Sequence, residues 1–191
     1  VASFFGQVLH DLRVSPANVA ELVYPGYPGL VLAEGTLQAM TWGFPLALRG
    51  AQGQALKPKP VNNARTDKLS SPFWAASFRD RRCLIPLTAW AEAEGPQGGK
   101  TRTWLAVPDA SPDASLFAVA GCWRETAEWG RAYTMVMTDA GGAAAEVHIR
   151  MPVILRADQW ASYLTADPAS ALALCRPYDG AITIERTSES W

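Results

Sequence analysis

The 191-residue sequence has no apolar run approaching the roughly 18 residues that a membrane-spanning helix needs, and no basic stretch ahead of a short apolar one at its start. No membrane partner and no secretory signal are therefore expected. Cysteine is scarce. Cys83, Cys122 and Cys175 are odd in number, far apart and without a CxxC pair, which argues against a disulfide scaffold and a structural zinc and fits the reducing cytoplasm. A P-loop, a GxGxxG fingerprint and any metal-ligand spacing are all absent, so neither cofactor nor metal is expected. Only two histidines exist, and the net charge of −1 carries no sign of a nucleic-acid partner.

What is present is apolar material: 49% of residues are hydrophobic, enough to bury a full core, and the length suits one domain spanning residues 1–191. Charge is unevenly distributed. Residues 43–82 carry eight basic side chains against Asp67 and Asp80, so that segment is +6 and the remainder −7. This asymmetry fits either a local anion-facing surface or a solvated, lysine-rich loop. Val1, Phe4, Phe5, Val8 and Leu9 have the spacing of a helix that lacks a capping residue, and Ser15-Pro16 opens another. Beyond them, Leu30–Ala33 and Leu37–Trp42 flank the turn Glu34-Gly35-Thr36. Residues 47–62 read as loop, and Ser71-Pro72 as the start of a helix around Phe73–Phe78. Strands follow at Cys83–Thr88, Trp90–Ala93, Thr103–Val107, Leu116–Trp123, Tyr133–Thr138 and Val153–Leu155. A helix over Asp158–Leu164, another capped by Asp167-Pro168, and an edge strand near Ile182–Ile184 complete the chain. The fold class is α+β, with a mainly antiparallel sheet.

Few residues could carry chemistry. His148 sits at a strand's edge after the small Ala140–Ala145 stretch, where imidazole can act as general acid or base or serve structurally. His10 falls on the polar side of the first helix. In the strand Leu87–Ala93, alternation puts Trp90 and Glu92 on one face, and a carboxyl desolvated beside tryptophan has a raised pKa. An exposed strand end is the alternative. Asn63 can donate and accept at once, orienting a nucleophile or a sugar oxygen, or it can belong to an asparagine-rich turn. Arg65, with Lys57 and Lys59, could bind phosphates. Trp42, beside Gly43, could stack a base or join the core. The three cysteines read as buried hydrophobes.

The ordered pieces WGF (42–44), NNAR (62–65), RRCLIP (81–86), Glu92, AVAGCW (118–123) and HIRMPVIL (148–155) resemble the SOS-response-associated peptidase family, also called abasic-site processing proteins. The match runs from about Tyr24 to the helix at Trp160. The resemblance implies a sheet curled into a barrel-like core with flanking helices and a positively charged channel for single-stranded DNA. It further implies an N-terminal cysteine whose amine attacks the abasic aldehyde and whose thiol closes a thiazolidine, giving a covalent protein–DNA cross-link. By the same resemblance, Asn63 orients the N-terminal residue and the sugar, Glu92 shuttles protons, and His148 assists ring opening. Arg65 and Arg150 hold phosphates, and Trp42 supports bases or the channel wall. The family's cysteine is absent from Val1-Ala2-Ser3-Phe4, so the expectation is that an N-terminal strand carrying it is missing here. A monomer acting in the bacterial cytoplasm is expected. The alternatives are a non-catalytic single-stranded DNA binder and a peptidase limited to processing itself, and no Ser–His–Asp or Cys–His constellation supports general proteolysis.

Overall fold

The structure, a computed structural model, describes residues 20–108 and 116–191. The two helices expected before residue 20, with His10, lie outside the described residues, as does most of the turn at Pro108–Ala114. The chain first pairs β1 (Pro28–Ala33) with β2 (Thr36–Trp42). Glu34 and Gly35 take positive φ angles of 53° and 72°, the left-handed pair that a two-residue hairpin turn requires. β2 ends at Trp42, and Gly43, at φ 115°, swings the chain outward. A Cβ at Gly43 would stand 2.6 Å from the Pro60 ring, so only glycine fits the middle of WGF.

Residues expected to be loop instead form a second hairpin, β3 (Phe44–Arg49) with β4 (Ala55–Val61). Its Lys-Pro-Lys-Pro composition hides the strand signal. Both prolines are tolerated because β4 pairs on one side only. The chain then returns as β5 (Asn63–Arg65). Thr66–Lys68 forms a short 3-10 turn, and α1 spans Ala75–Asp80. Ser71-Pro72 does not cap α1: the helix begins at Ala75, and the Ser71 carbonyl instead accepts from the Trp74 and Ala75 N–H groups in a preceding turn.

The strands β6 (Arg82–Leu87), β7 (Trp90–Glu94), β8 (Thr101–Ala106), β9 (Phe117–Thr126) and β10 (Gly130–Asp139) follow. The order β6–β1–β2–β10–β9 closes back on β6, making a five-stranded barrel. Closure removes the free sheet edges that would otherwise invite aggregation. The pairings are antiparallel except that β2 and β5 both run parallel to β10. The expected α+β class with a barrel-like core is what the chain adopts. β11 (Arg150–Pro152) extends β10, β12 (Ile154–Leu155) extends β9, and β13 (Thr183–Ser190) joins β8 and β7 in a separate three-stranded sheet. Helices α2 (Trp160–Thr165) and α3 (Pro168–Ala173) lie between β12 and β13. Asp167 caps α3, accepting from the N–H groups of Ala169 and Ser170 at 2.9 and 3.0 Å.

Alternate residues of the barrel strands feed two apolar clusters. One packs against the helices through Phe78, Trp160, Tyr163 and Ala171. The other packs against the three-stranded sheet and β11 through Trp90, Leu105 and Met151. Arg82 ties the helices to the barrel. Its buried guanidinium donates to the carbonyls of Phe78 (2.9 Å) and Arg79 (3.0 Å) at the end of α1, and to those of Tyr163, Leu164 and Ala166 at the end of α2. Terminal helix carbonyls have no partner within the helix and carry partial negative charge, so one cation serves two helix ends. Replacing Arg82 by leucine orphans these acceptors, and urea unfolding should show a loss of about 3 kcal/mol.

Candidate functional site

The three-stranded sheet brings its chemistry to the barrel in rungs. Trp90, Leu105 and Ile184 are in register and form an apolar rung against the second cluster. The next rung on the same face is Glu92, Thr103 and Arg186. Strand alternation therefore delivers the Glu92 carboxyl to the margin of an apolar surface, where its side chain is only 17% exposed. Burial pushes its pKa above the ordinary glutamate value, and the nearby His148 ring opposes part of that rise. Glu94, one rung further out, has the opposite fate: hydrogen bonds from Thr103 Oγ1 (2.6 Å) and Arg186 Nε (3.1 Å) hold its carboxyl low.

His148 meets Glu92 from the other side. The 3-10 turn Gly142–Glu146 brings the chain back to β10, and the ring stands just before β11. Nδ1 lies 3.9 Å from Glu92 Oε2, an ion-pair separation rather than a hydrogen bond. The same Nδ1 lies 3.2 Å from the Arg150 N–H and 3.1 Å from the Arg150 carbonyl. One backbone unit thus offers a donor to the neutral ring nitrogen and an acceptor to the protonated one, so either state is accommodated. Two proton-carrying groups face each other here, at the edge of solvent.

β5 carries Asn63 along the opposite edge of β10 from β11, in register with Met135 of the second cluster. Its placement depends on the carbonyl just before it. Asn62 O accepts from Trp42 Nε1 (3.0 Å), Thr134 Oγ1 (2.9 Å) and the Met135 N–H (3.0 Å). The Asn63 side chain itself is exposed and, among the described residues, has no hydrogen-bond partner. Asn63, Glu92 and His148 thus border one apolar cluster, but only Glu92 and His148 are in direct electrostatic contact. Trp42 stacks on Tyr133 with ring centroids 6.5 Å apart and planes 12° apart, its indole N–H already committed to Asn62. It forms a fixed, half-buried wall.

The basic residues divide. Arg65, 45% exposed, uses Nε and Nη2 to grip both oxygens of Asp67 (2.7 and 2.6 Å), which holds the aspartate below its usual range. Among the described residues the Nη1/Nη2 edge of the guanidinium has no partner, and that edge is itself a fork suited to phosphate. Arg150 has no carboxylate partner among the described residues. The cysteines are all buried, and burial pushes the thiols up, to about 12 for Cys122 and Cys175. They are inert hydrophobes. Among the described residues no group of histidine, cysteine, aspartate and glutamate could hold a metal ion, and no helix is long and apolar enough to cross a membrane. The parts that sequence reasoning missed are backbone groups, the Asn62 carbonyl and the Arg150 peptide, and no residue-type signal announces them.

The SOS response associated peptidase (SRAP) family matches residues 13–190. Solved structures share the fold. A Bordetella bronchiseptica protein is 22% identical over 92% of this chain and 90% of its own, with a TM-score of 0.74. One from Bacteroides thetaiotaomicron is 18% identical over 95% and 87%, with a TM-score of 0.67. A phage-related protein from Bordetella bronchiseptica is 19% identical over 90% and 85%, with a TM-score of 0.63. No curated protein matches the chain.

A folded Glu92 carboxyl that binds its proton more tightly than the unfolded one makes stability fall as pH rises from the ordinary value of 4.5 through the raised one. Glu92→Gln removes that loss. Thermal unfolding should give the variant the higher Tm at pH 7, with the advantage shrinking to nothing below pH 4.5; a difference independent of pH would contradict this.

Proposed function

The chain belongs to the SOS response associated peptidase family, and on that premise we propose that this barrel captures abasic sites in single-stranded DNA. The observation that carries the reading is the Glu92–His148 pair at 3.9 Å, a partly desolvated acid facing an imidazole, with Arg150, which has no carboxylate partner among the described residues, next to the imidazole. An abasic sugar is a masked aldehyde. Opening it moves a proton from the hydroxyl at C1′ to the ring oxygen, work suited to a carboxyl–imidazole pair. In a form of the protein that carries an N-terminal cysteine, the α-amine adds to the aldehyde carbon. Its nitrogen then loses a proton, and the hydroxyl leaves as water when Glu92 or His148 supplies one. The resulting imine accepts the cysteine sulfur at the same carbon while nitrogen regains a proton, closing a thiazolidine with net loss of one water. An α-amine suits this task because its ordinary pKa, near 8, leaves it partly neutral at pH 7.

The remaining residues bind the strand. Arg150 and the free edge of Arg65 take phosphates, Asn63 contacts the sugar, and the Trp42–Tyr133 stack supports a base or walls the channel. The site faces the cytoplasm of a bacterium and acts in the DNA-damage response. A protein bearing the N-terminal cysteine should give a gel-stable adduct with abasic single-stranded DNA. Glu92→Gln and His148→Ala should each slow its formation about 10²-fold. Arg150→Ala should instead weaken reversible binding and reduce the salt slope by about 0.7, the share of one phosphate on a single strand. Absence of any adduct would overturn the proposal.

A further inference from the structure

Ile149 lies between His148 and Arg150 and is the most exposed large hydrophobic side chain of the described residues, at 73%. A lone exposed aliphatic residue is ordinary on a protein surface. This one differs in where it stands and how firmly it is held. Its carbonyl accepts from the Ala140 N–H at 3.0 Å, the following residue pairs with Asp139 of β10, and that residue's N–H is engaged by His148. The backbone on either side is therefore part of an ordered ladder, so the side chain is displayed outward by a braced segment. Isoleucine is branched at Cβ and stiff at χ1, so holding it against a ligand costs little further entropy.

Resting on the single-stranded DNA reading above, we propose that Ile149 is a specificity-determining residue that fills the space of the missing base. A strand lacking one base exposes the apolar faces of its two neighbours across a gap. A compact apolar wedge enters such a gap, as apolar side chains enter unstacked base steps elsewhere. An intact strand has a base in that place and excludes the wedge. Arg150 would seize a phosphate on either strand, whereas Ile149 rewards only the gapped one. The adjacent His148 ring would then stand beside the sugar that lost its base.

The test measures equilibrium binding of the full chain to two labelled single strands, one intact and one with a single tetrahydrofuran residue, which mimics the lesion without reacting. Wild type should favour the tetrahydrofuran strand, and Ile149→Ser should cut that preference by about tenfold, the worth of partly burying one isoleucine. Ile149→Leu should keep most of it, and Arg150→Ala should weaken both strands alike. An unchanged preference in Ile149→Ser, or an equal loss on both strands, would overturn the inference while leaving the capture proposal standing. If wild type binds neither strand, both fall together.

Discussion

Backbone hydrogen bonding along β10 is the constraint on which the rest of the molecule depends. One edge of this strand takes β2 and then β5, both in parallel, while the other takes β9 and then β11. β2 and β9 close the barrel, while β5 sets Asn63 beside Met135 and β11 sets Arg150 beside Asp139. Between β2 and β5 the chain leaves as the β3–β4 hairpin and returns, and the Asn62 carbonyl is the point where it is recaptured. Three donors converge there, from Trp42, Thr134 and Met135. β2 and β11, more than a hundred residues apart in the sequence, thus pair with the same strand because β10 serves four others.

The electrostatics follow from that scaffold. The surplus of positive charge in residues 43–82 is much smaller as a surface than as a count. Arg82 is buried on helix-end carbonyls, Arg79 is held by Asp80, and Arg65 by Asp67. Arg124, just past the barrel's middle on β9, lies over the rings of Phe44 and Phe73 at 4.1 and 4.6 Å. Among the described residues, what is left open includes Lys57 and Lys59 on the hairpin, the largely exposed Lys68, the outer edge of Arg65, and Arg150 beside the Glu92–His148 pair. The open positive charge around the Glu92–His148 pair is therefore a few positioned donors more than a diffuse basic field.

Much of this was legible in the sequence, and the exceptions have physical reasons. The β1–β2 hairpin announced itself through Glu34-Gly35, and α3 through Asp167-Pro168, because turn and cap chemistry are local. Alternation put Glu92 on one face with Trp90 but left an exposed strand end as the alternative. The β3–β4 hairpin was not, since its prolines and lysines mimic a loop and its pairing is a one-sided edge. Ser71-Pro72 looked like a helix start, yet the turn it makes completes before the helix begins. Arg82 stood in a conspicuous motif, but nothing local reveals that its partners come from two helix ends, one of them some eighty residues downstream. Nothing local announces the pairing of Glu92 with His148, because it is made by the approach of two separate sheets.

β7 and the turn before β11 hold a desolvated carboxyl against an imidazole. A carbon-13 titration of the Glu92 side-chain carboxyl, in the wild type and in His148→Ala, tests it most directly. The predicted result is a midpoint above the ordinary 4.5 in the wild type that moves higher still when the imidazole is removed. A midpoint at the ordinary value, indifferent to the loss of His148, would contradict it.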